Sequence, residues 1–462
     1  MAPEGPATDK WVWLTPPYGG RYIVYAQEGT RITMHRFHVW TIGCQMNVAE
    51  SAAITLALRK HGLSAASSME DADLVILNSC TVRESAEQRV QGQLSLLAAR
   101  KRRDPDLMVA LTGCSVEPDL AAMEKKLPMV DFFFRPGALN HFLSQLEAKE
   151  VVGLPLVHDP VMSYEQPVCT YLTVMQGCNK FCTYCIVPYR RGRERSRPVT
   201  EVVEDTRRFV ERGVREITLL GQNIDSYGRD LTTRSHLAEL LEAVDGVPGI
   251  ERVRFMTSHP RDMDLRLIEA VARLPHVCEH IHVAIQSGDD TVLRRMRRGY
   301  TGDSCIELVE RIRAAVPGIA LSTDVIVGFP GETEEQVERT LAVLEACRFD
   351  KVHVAAYSPR GGTVSATWED DIPQPIKDER LKRVDALQET IAGDYNQKLV
   401  DTTVEVLVED TQSARRDVPQ WRGRTRTGKL VYLPREDEEL RGHLVPTRIQ
   451  KASPWALQGV PA

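Results

Sequence analysis

The sequence predicts an α/β protein in three parts: an open parallel α/β domain, a central partial (β/α)6 barrel and a small antiparallel β-barrel at the carboxyl end. Three observations predict it. From residue 36 to about 149, short apolar strands alternate with amphipathic helices, the pattern of a parallel sheet covered by helices. The alternation restarts after a proline-bearing stretch and gives six strand-helix units, too few for the closed eight-unit form. After residue 397 strands follow one another without helices, as in a small barrel.

Taken in order, residues 1–35 are rich in Pro, Gly and aromatics without a sustained period and read as a flexible extension. The alternative is that Trp11, Trp13, Tyr22, Val24 and Tyr25 form an extra edge element on the first domain. The domain at 36–149 contains three strands that end alike: His38–Ile42 runs into Gly43-Cys44, Leu74–Leu77 into Asn78-Ser79-Cys80, and Met108–Leu111 into Thr112-Gly113-Cys114. Asn47, with Glu50 three residues on, reads as the N-cap of the first helix. Parallel strands put their carboxyl ends on one edge, where open sheets bind ligands, so three cysteines distant in sequence converge there.

Residues 150–167, with Pro155, Pro160 and Pro167, read as a linker. The barrel at 168–396 has strands at Thr170–Val174, Glu216–Leu220, Arg252–Met256, His280–Ile285, Ala320–Val327 and Lys351–Ala356, with helices such as Val202–Arg212 and Thr333–Cys347 between them. A helix over Ile376–Leu399 leads out of it. Strands at Thr402–Val408, Gly423–Leu433 and Gly442–Lys451 build the last domain, 397–459.

The chain has 462 residues, 42% hydrophobic and 26% charged, enough for about three domains. No stretch is long and apolar enough for a membrane span and the first residues lack a secretory pattern, so a cytoplasmic protein without membrane contact is expected. The net charge of −6 excludes an evenly basic coat, but from Lys398 onward eleven Lys and Arg face nine acidic residues. A local nucleic-acid surface is compatible with that distribution. Ten cysteines in a chain of this length and compartment read as ligands, nucleophiles or buried thiols rather than a disulfide framework.

The sharpest signal is Cys178-Asn179-Lys180-Phe181-Cys182-Thr183-Tyr184-Cys185, preceded by Gly177 and placed after the first barrel strand. Three thiolates in this spacing suit three irons of a 4Fe-4S cluster and leave the fourth iron open, a position that can take S-adenosylmethionine. A zinc site would want a fourth Cys or His nearby, and none follows closely. This loop resembles that of the radical S-adenosylmethionine superfamily, whose cluster reduces the bound cofactor to methionine and a 5'-deoxyadenosyl radical.

The longer run Gly177–Tyr189, followed by Arg190-Arg191-Gly192-Arg193-Glu194-Arg195-Ser196-Arg197, is similar to the methylthiotransferases. So are Thr41–Asn47, Asn78–Arg83 and Gly113-Cys114. The resemblance covers residues 36 to 459 and includes a module like the family's RNA-binding TRAM barrel, marked by Gly423-Arg424-Thr425-Arg426-Thr427. It implies that Cys44, Cys80 and Cys114 hold a second 4Fe-4S cluster carrying the sulfur to be transferred; without it, three buried thiols would be the ordinary reading. It also implies two 4Fe-4S clusters and two molecules of S-adenosyl-L-methionine per turnover, one methylating the sulfur and one cleaved to the radical. Carbon 2 of the target adenine then loses hydrogen and takes the methylthio group.

The motif around Cys44 favours the branch acting on N6-isopentenyl adenosine at position 37 of tRNA. The alternatives are threonylcarbamoyl adenosine, an aspartate of a ribosomal protein, and a non-catalytic Fe-S RNA-binding protein. Implied partners are a tRNA anticodon stem-loop, an electron donor such as flavodoxin or ferredoxin, and a sulfur source; the chain is expected to be a monomer. Tyr184 in the loop, Gly221-Gln222-Asn223, Gln286-Ser287 and Asp324 at later strand ends are the candidates for the cofactor, with loop-capping polar residues as the alternative. Ala284 and Gly362 stand where the family usually has proline.

No catalytic residue beyond the cluster ligands is singled out. Arg190, Arg191, Arg193, Arg195 and Arg197 at the barrel mouth, with Arg424, Arg426 and Lys429 in the tail, are candidates for RNA phosphates, where arginine's bidentate fork is favoured. A solvated charged turn is the alternative. Arg294-Arg295-Met296-Arg297-Arg298 is a weaker basic run, since a helix would point half of it elsewhere. Cys169, Cys278, Cys305 and Cys347 fit no ligand spacing and read as core thiols.

Overall fold

A computed structural model describes residues 10–14, 22–26, 36–81, 84–149, 151, 167–413, 419–435 and 439–462. Two strands, β1 (Lys10–Leu14) and β2 (Tyr22–Ala26), pair antiparallel with each other in a separate ribbon. The extra edge element considered for Trp11 to Tyr25 is therefore no member of the parallel sheet. The rest of the extension, nearly all of the expected linker, and Val82 and Arg83 of the second cysteine motif lie outside the described residues.

Two compact units divide the chain: Met1–Ile42, Glu50–Ser79 and Arg89–Tyr164 form one, and Gly43–Ala49, Cys80–Gln88 and Glu165–Ala462 the other. The first is built on β3 (Arg36–Ile42), β4 (Ser64–Ala65), β5 (Leu74–Ser79), β6 (Met108–Gly113) and β7 (Phe132–Phe133), all parallel in the order β4-β3-β5-β6-β7. Along β5, Leu74 and Ile76 enter one apolar cluster and Val75 and Leu77 the other. Both faces of the strand are thus covered, as a parallel sheet flanked by helices requires. Ile42 is in register with Ser79, and Ser79 with Gly113, so three neighbouring strands end level.

The second unit opens with β8 (Cys169–Thr173) and a two-residue ribbon of β9 (Met175–Gln176) against β10 (Arg195–Ser196). Then come β11 (Glu216–Leu220), β12 (Arg252–Met256), β13 (His280–His282), β14 (Ala320–Val327) and β15 (Lys351–Ala356). Parallel pairing gives β8-β11-β12 and β13-β14-β15, stitched by single bridges Val253–Val277 and Ser258–Val283. Six parallel strands in chain order make the partial barrel, around a core that includes Ile217, Leu219, Val253, Phe255, Ile281 and Leu321. The fourth strand is shorter than its apolar run suggested; from Val283 the chain holds its neighbours by isolated bridges only. Gln286, at φ 68, makes the last of these bridges, to Val325.

Helix starts follow side-chain caps. Asp264 accepts from Leu267 N at 3.0 Å before the helix Leu265–Arg273, and Thr333 and Gln336 exchange bonds before Glu334–Cys347, the reciprocal capping box. One cap differs from the sequence reading. The first helix spans Gln45–Lys60, beginning two residues before Asn47, whose Oδ1 accepts from Cys44 N at 3.3 Å. The same three-residue spacing serves a side chain reaching back to the cap as well as one reaching forward.

The helix Gln374–Gln397 leads into a closed barrel of β16 (Thr403–Ser413), β17 (Pro419–Thr425), β18 (Leu430–Pro434), β19 (Leu444–Ala452) and β20 (Leu457–Pro461), ordered β16-β17-β18-β20-β19. The run Gly423–Leu433, expected as one strand, is split by a turn at which Thr425 N donates to Lys429 O and Gly428 takes φ 79. β20 was not foreseen; it is short and carries Gly459 and Pro461. Closure takes one parallel seam, β18 with β20, among otherwise antiparallel pairs.

Candidate functional site

The cysteine loop is closed at its neck by the β9–β10 ribbon. Gly177, at φ 84, lies there with so little room that a Cβ would sit 2.0 Å from Arg193 O, and Cys178 N donates to Gly192 O at 3.1 Å. Only glycine meets both demands. Within the loop Cys185 N donates to Cys182 O at 3.0 Å, and Lys180 N lies 3.5 Å from Cys178 Sγ. Thr183 fastens the loop to the basic run, its N donating to Met296 O at 3.2 Å and its hydroxyl to Arg295 O at 2.9 Å.

Burial pushes the Cys178 thiol up to about 11 and the Cys185 thiol up to about 12. An apolar enclosure disfavours the thiolate, so ligation has to supply the positive charge that releases the protons. Among the described residues no three His, Cys, Asp or Glu side chains already stand together as a metal site. The fit rests on the donor set: three thiols on one glycine-necked loop whose charges act on one another. That set suits iron-sulfur ligation.

Gln222 and Asn223, just past β11, are drawn to this loop. Gln222 Oε1 accepts from Gly177 N, while its buried Nε2 has no partner among the described residues. Asn223 Nδ2 donates to Asp262 at 2.8 Å, and its buried Oδ1 has no partner among the described residues. A cavity of about 310 Å³ lies here, lined by Asn179, Lys180, Glu194, Asn223, Arg229 and Asp230. Gly221 packs against Met175, where a Cβ would lie 2.5 Å from Cγ.

Gln286 and Asp324 are also adjacent, Gln286 N donating to Asp324 O at 2.8 Å, and Asp324 Oδ2 is 3.2 Å from His282 Nε2. Ser287 is fully buried and shares its hydroxyl with Thr340 of the helix Glu334–Cys347, so it supports this turn rather than facing the cavity. Tyr184 packs at the edge of Phe329, in an apolar cluster with Met296 and Tyr357.

The sequence reading missed the charged residues behind these. Asp262 holds Lys180 at 2.6 Å and Arg229 at 3.4 Å. Buried Asp225 accepts from Ser258 Oγ at 2.7 Å and His259 N at 2.9 Å, and burial pushes its carboxyl up to about 7. Burial, with the Arg298 charge next, holds the His259 imidazole down at about 2. In sequence these residues sit in loops of mixed polarity that carry no periodic signal.

On the other three cysteines, the strand ends speak individually. Cys114 N donates to Ser79 O at 2.8 Å, and Gly113, at φ 91, leaves no room for a Cβ, which would meet that oxygen at 2.2 Å. Exposed Cys44 donates from Sγ to Asn47 Oδ1 at 3.4 Å, and Gly43 comes close enough to Cys80 that a Cβ would lie 2.8 Å from its Cβ. Cys80 and Cys114 are buried.

The arginines divide. Arg193 and Arg195 are exposed, and Arg193 lies over the Phe181 ring at 4.4 Å. Arg191 is buried, Arg190 is partly so, and Arg197 is bound to Asp205 at 2.6 Å and to Thr173 O. In the tail, Arg424 pairs with Glu409 at 3.1 Å, Arg426 makes two bonds of 2.8 Å to Glu279, and Lys429 lies 2.9 Å from Asp350. These three charges are spent within the chain. Cys278, Cys305 and Cys347 are buried, with thiols pushed up by burial to about 11, 12 and 12, and half-buried Cys169 is pushed up further by the same cause.

Comparison with known proteins agrees with this architecture. The radical SAM superfamily matches residues 172–344, and the uncharacterized protein family UPF0004 matches residues 36–135. The radical S-adenosylmethionine methyltransferase TsrM from Kitasatospora setae, solved with cobalamin and a 4Fe-4S cluster bound, shares the fold at TM-score 0.54 and 15% identity, over 72% of this chain and 77% of that one. A tRNA-2-methylthio-N(6)-dimethylallyladenosine synthase from Dehalococcoides mccartyi strain CBDB1 is 48% identical over 92% of this chain and 98% of its own. One from Chloroflexus aurantiacus is 47% identical over 92% and 91%. With that identity sustained along nearly the whole of both relatives, the chain belongs to the family of tRNA-2-methylthio-N(6)-dimethylallyladenosine synthases, enzymes of the radical SAM superfamily.

Proposed function

We propose that this enzyme attaches a methylthio group to carbon 2 of N6-isopentenyl adenosine at position 37 of tRNA. The observation that carries the reading is the 48% identity along 98% of a relative that bears this activity in its name. A glycine-necked cysteine loop beside a polar cavity supports it. Cys178, Cys182 and Cys185 are assigned to the cluster that binds S-adenosyl-L-methionine, and Cys44, Cys80 and Cys114 to a second 4Fe-4S cluster. When bound, these groups supply the adenosyl radical and the sulfur to be transferred.

The chain's own residues bind and orient. Gln222 braces the loop neck through Gly177 N, and Asn223 Oδ1, without a partner among the described residues, is left to accept from a cofactor N–H. Tyr184, Gly221, Gln286 and Asp324 complete the proposed cofactor contacts, with Ser287 supporting their turn. Exposed Arg193 and Arg195 are proposed to meet RNA phosphates, beside the partly buried Arg190 and the buried Arg191. An anticodon loop offers unstacked bases that can be splayed out to an enzyme. The enzyme is placed in the cytoplasm as a monomer, supplied with electrons by a flavodoxin or ferredoxin and with sulfur by a separate source. No helix among the described residues is long and apolar enough to cross a membrane. The domain limits that go with this reading are 36–149, 168–396 and 397–459.

The test is side-by-side turnover of isopentenylated, threonylcarbamoylated and bare anticodon stem-loops by anaerobically reconstituted enzyme, with nucleosides read by mass spectrometry. Burying the isopentenyl group at ~25 cal/mol per Å² should favour it over bare adenosine by roughly 2 kcal/mol or more. Preference for the threonylcarbamoylated loop would overturn the substrate and leave the chemistry. Replacing Cys178, Cys182 and Cys185 by Ala should abolish cofactor cleavage. Replacing Cys44, Cys80 and Cys114 should end methylthiolation while 5'-deoxyadenosine is still formed.

A further inference from the structure

Arg298, the last arginine of the basic run, is buried. Its Nη1 donates to Cys182 Sγ at 3.3 Å, its Nε to Tyr300 Oη at 2.7 Å, and its Nη2 to Ala284 O. The Tyr300 hydroxyl passes the chain on to Ile285 O at 2.8 Å, so the guanidinium is held on three sides. Tyr184, Tyr300 and Cys182 interact with its charge most strongly, and among the described residues no carboxylate pairs with it. By contrast, three other buried arginines have one: Arg254 pairs with Glu216, Arg380 with Glu332 and Arg252 with Glu405. A buried cation without an anion is expensive. The sulfur it touches is the one atom at hand that becomes anionic, when Cys182 ligates iron.

We propose that Arg298 is the fixed counter-charge of the cluster held by Cys178, Cys182 and Cys185, a positioning residue that donates to the Cys182 sulfur and raises the cluster's reduction potential. The inference rests on the cluster reading above. Reduction adds one electron from an outside donor and makes or breaks no bond at Arg298, whose guanidinium keeps its proton throughout. Hydrogen bonds to cluster sulfurs and nearby charge set such potentials, and a fixed cation stabilises the more negative, reduced state. Two more residues of the run serve the same loop: Arg295 and Met296 carbonyls bind Thr183. Arg294 and Arg297 of the same run stay exposed.

The test uses the full-length chain with Cys44, Cys80 and Cys114 changed to Ala, so that one cluster remains, reconstituted anaerobically and titrated with dithionite and mediators while the reduced cluster is followed by electron paramagnetic resonance. At the parent's midpoint, Arg298→Gln should show a reduced-to-oxidised ratio about tenfold lower, which is about 59 mV for one electron. Arg298→Lys, keeping charge but losing the fork, should fall between. Tyr300→Phe, which releases Nε, should shift the same way by less. Superimposable titrations of the parent, Arg298→Gln and Tyr300→Phe would overturn the proposal. Failure of both Arg298 variants to take up iron, with an unchanged far-UV spectrum, would assign the residue to packing and overturn it equally. Iron uptake by Arg298→Lys but not Arg298→Gln would support it. A parent that binds no cluster would instead refute the cluster reading.

Discussion

Asp225 shows how a single side chain can report on the site without being legible in advance. Nothing in Gln222-Asn223-Ile224-Asp225 distinguishes it from a loop carboxylate, yet it is buried and tethers Ser258 and His259 across two strand ends. Because burial pushes its carboxyl from 3.8 up to about 7, the folded chain holds a proton there that the unfolded chain has lost. Its contribution to stability is full below the ordinary carboxylate value and is lost as pH rises toward 7. Glu332, also pushed up to about 7 by burial, adds in the same direction. Asp225→Asn, whose amide can replace the protonated carboxyl, should therefore flatten the decline of Tm between about pH 4 and 7. Thermal melts across that range check it; an unchanged slope would show that Asp225 does not carry the proton. Cys178, Cys182 and Cys185 are the opposite case, since their spacing alone suggests iron-sulfur ligation, whereas Cys169 and Cys305 have no neighbouring cysteines.

At the scale of elements, the glycine necks decide whether the cysteine loops take shape. Gly177→Ala would place a Cβ 2.0 Å from a backbone carbonyl at φ 84, a clash that no side-chain rotation relieves. A destabilisation of roughly 2 kcal/mol or more is expected, with loss of iron uptake after anaerobic reconstitution, read as iron per chain alongside Tm. Normal iron content would mean that the neck opens without harm to the loop. Strand positions were legible because apolar runs between turn residues have few other uses, and the level ends of β3, β5 and β6 follow from their parallel register. Boundaries were less so. The helix start at Gln45 and the turn that splits β17 from β18 depend on which hydrogen bond a side chain or a glycine makes, and several choices share one spacing.

Across the second unit, the terminal barrel is bound to the parallel-strand barrel by arginines of β12. Arg252, fully buried, donates to Arg424 O at 2.7 Å and to Glu405 at 2.9 Å, and Arg254 donates to Arg426 O at 2.6 Å and Thr425 O at 2.8 Å. The turn that marks the module in sequence thus spends its carbonyls, and the charges of Arg426 and Lys429, on this joint. Arg252→Met, which leaves those acceptors unpaired, should cost about 2–4 kcal/mol. Hydrogen exchange checks it: protection should fall in β16–β19 and remain in β5. Deleting residues 398–462 should weaken tRNA binding and flatten its salt dependence. The flattening should fall short of the eleven cations removed, because Arg424, Arg426 and Lys429 already have anionic partners. Equal binding curves for the two proteins across a salt series would refute an RNA role for the barrel.

The α/β class, the three-part order and the close spacing of Cys178, Cys182 and Cys185 were legible in the sequence alone, because hydrophobic period and motif spacing are local properties written in consecutive residues, whereas a shared role for Cys44, Cys80 and Cys114 came from their strand-end positions and a family resemblance. Only the tertiary structure decided which charges face outward. Arg193 and Arg195 stay exposed while Arg426 and Lys429 bind carboxylates some 147 and 79 residues away, and Arg298 reaches a sulfur 116 residues away. A charged side chain carries no mark of its partner; the partner is selected when folding removes water and an unpaired charge becomes too costly to leave buried.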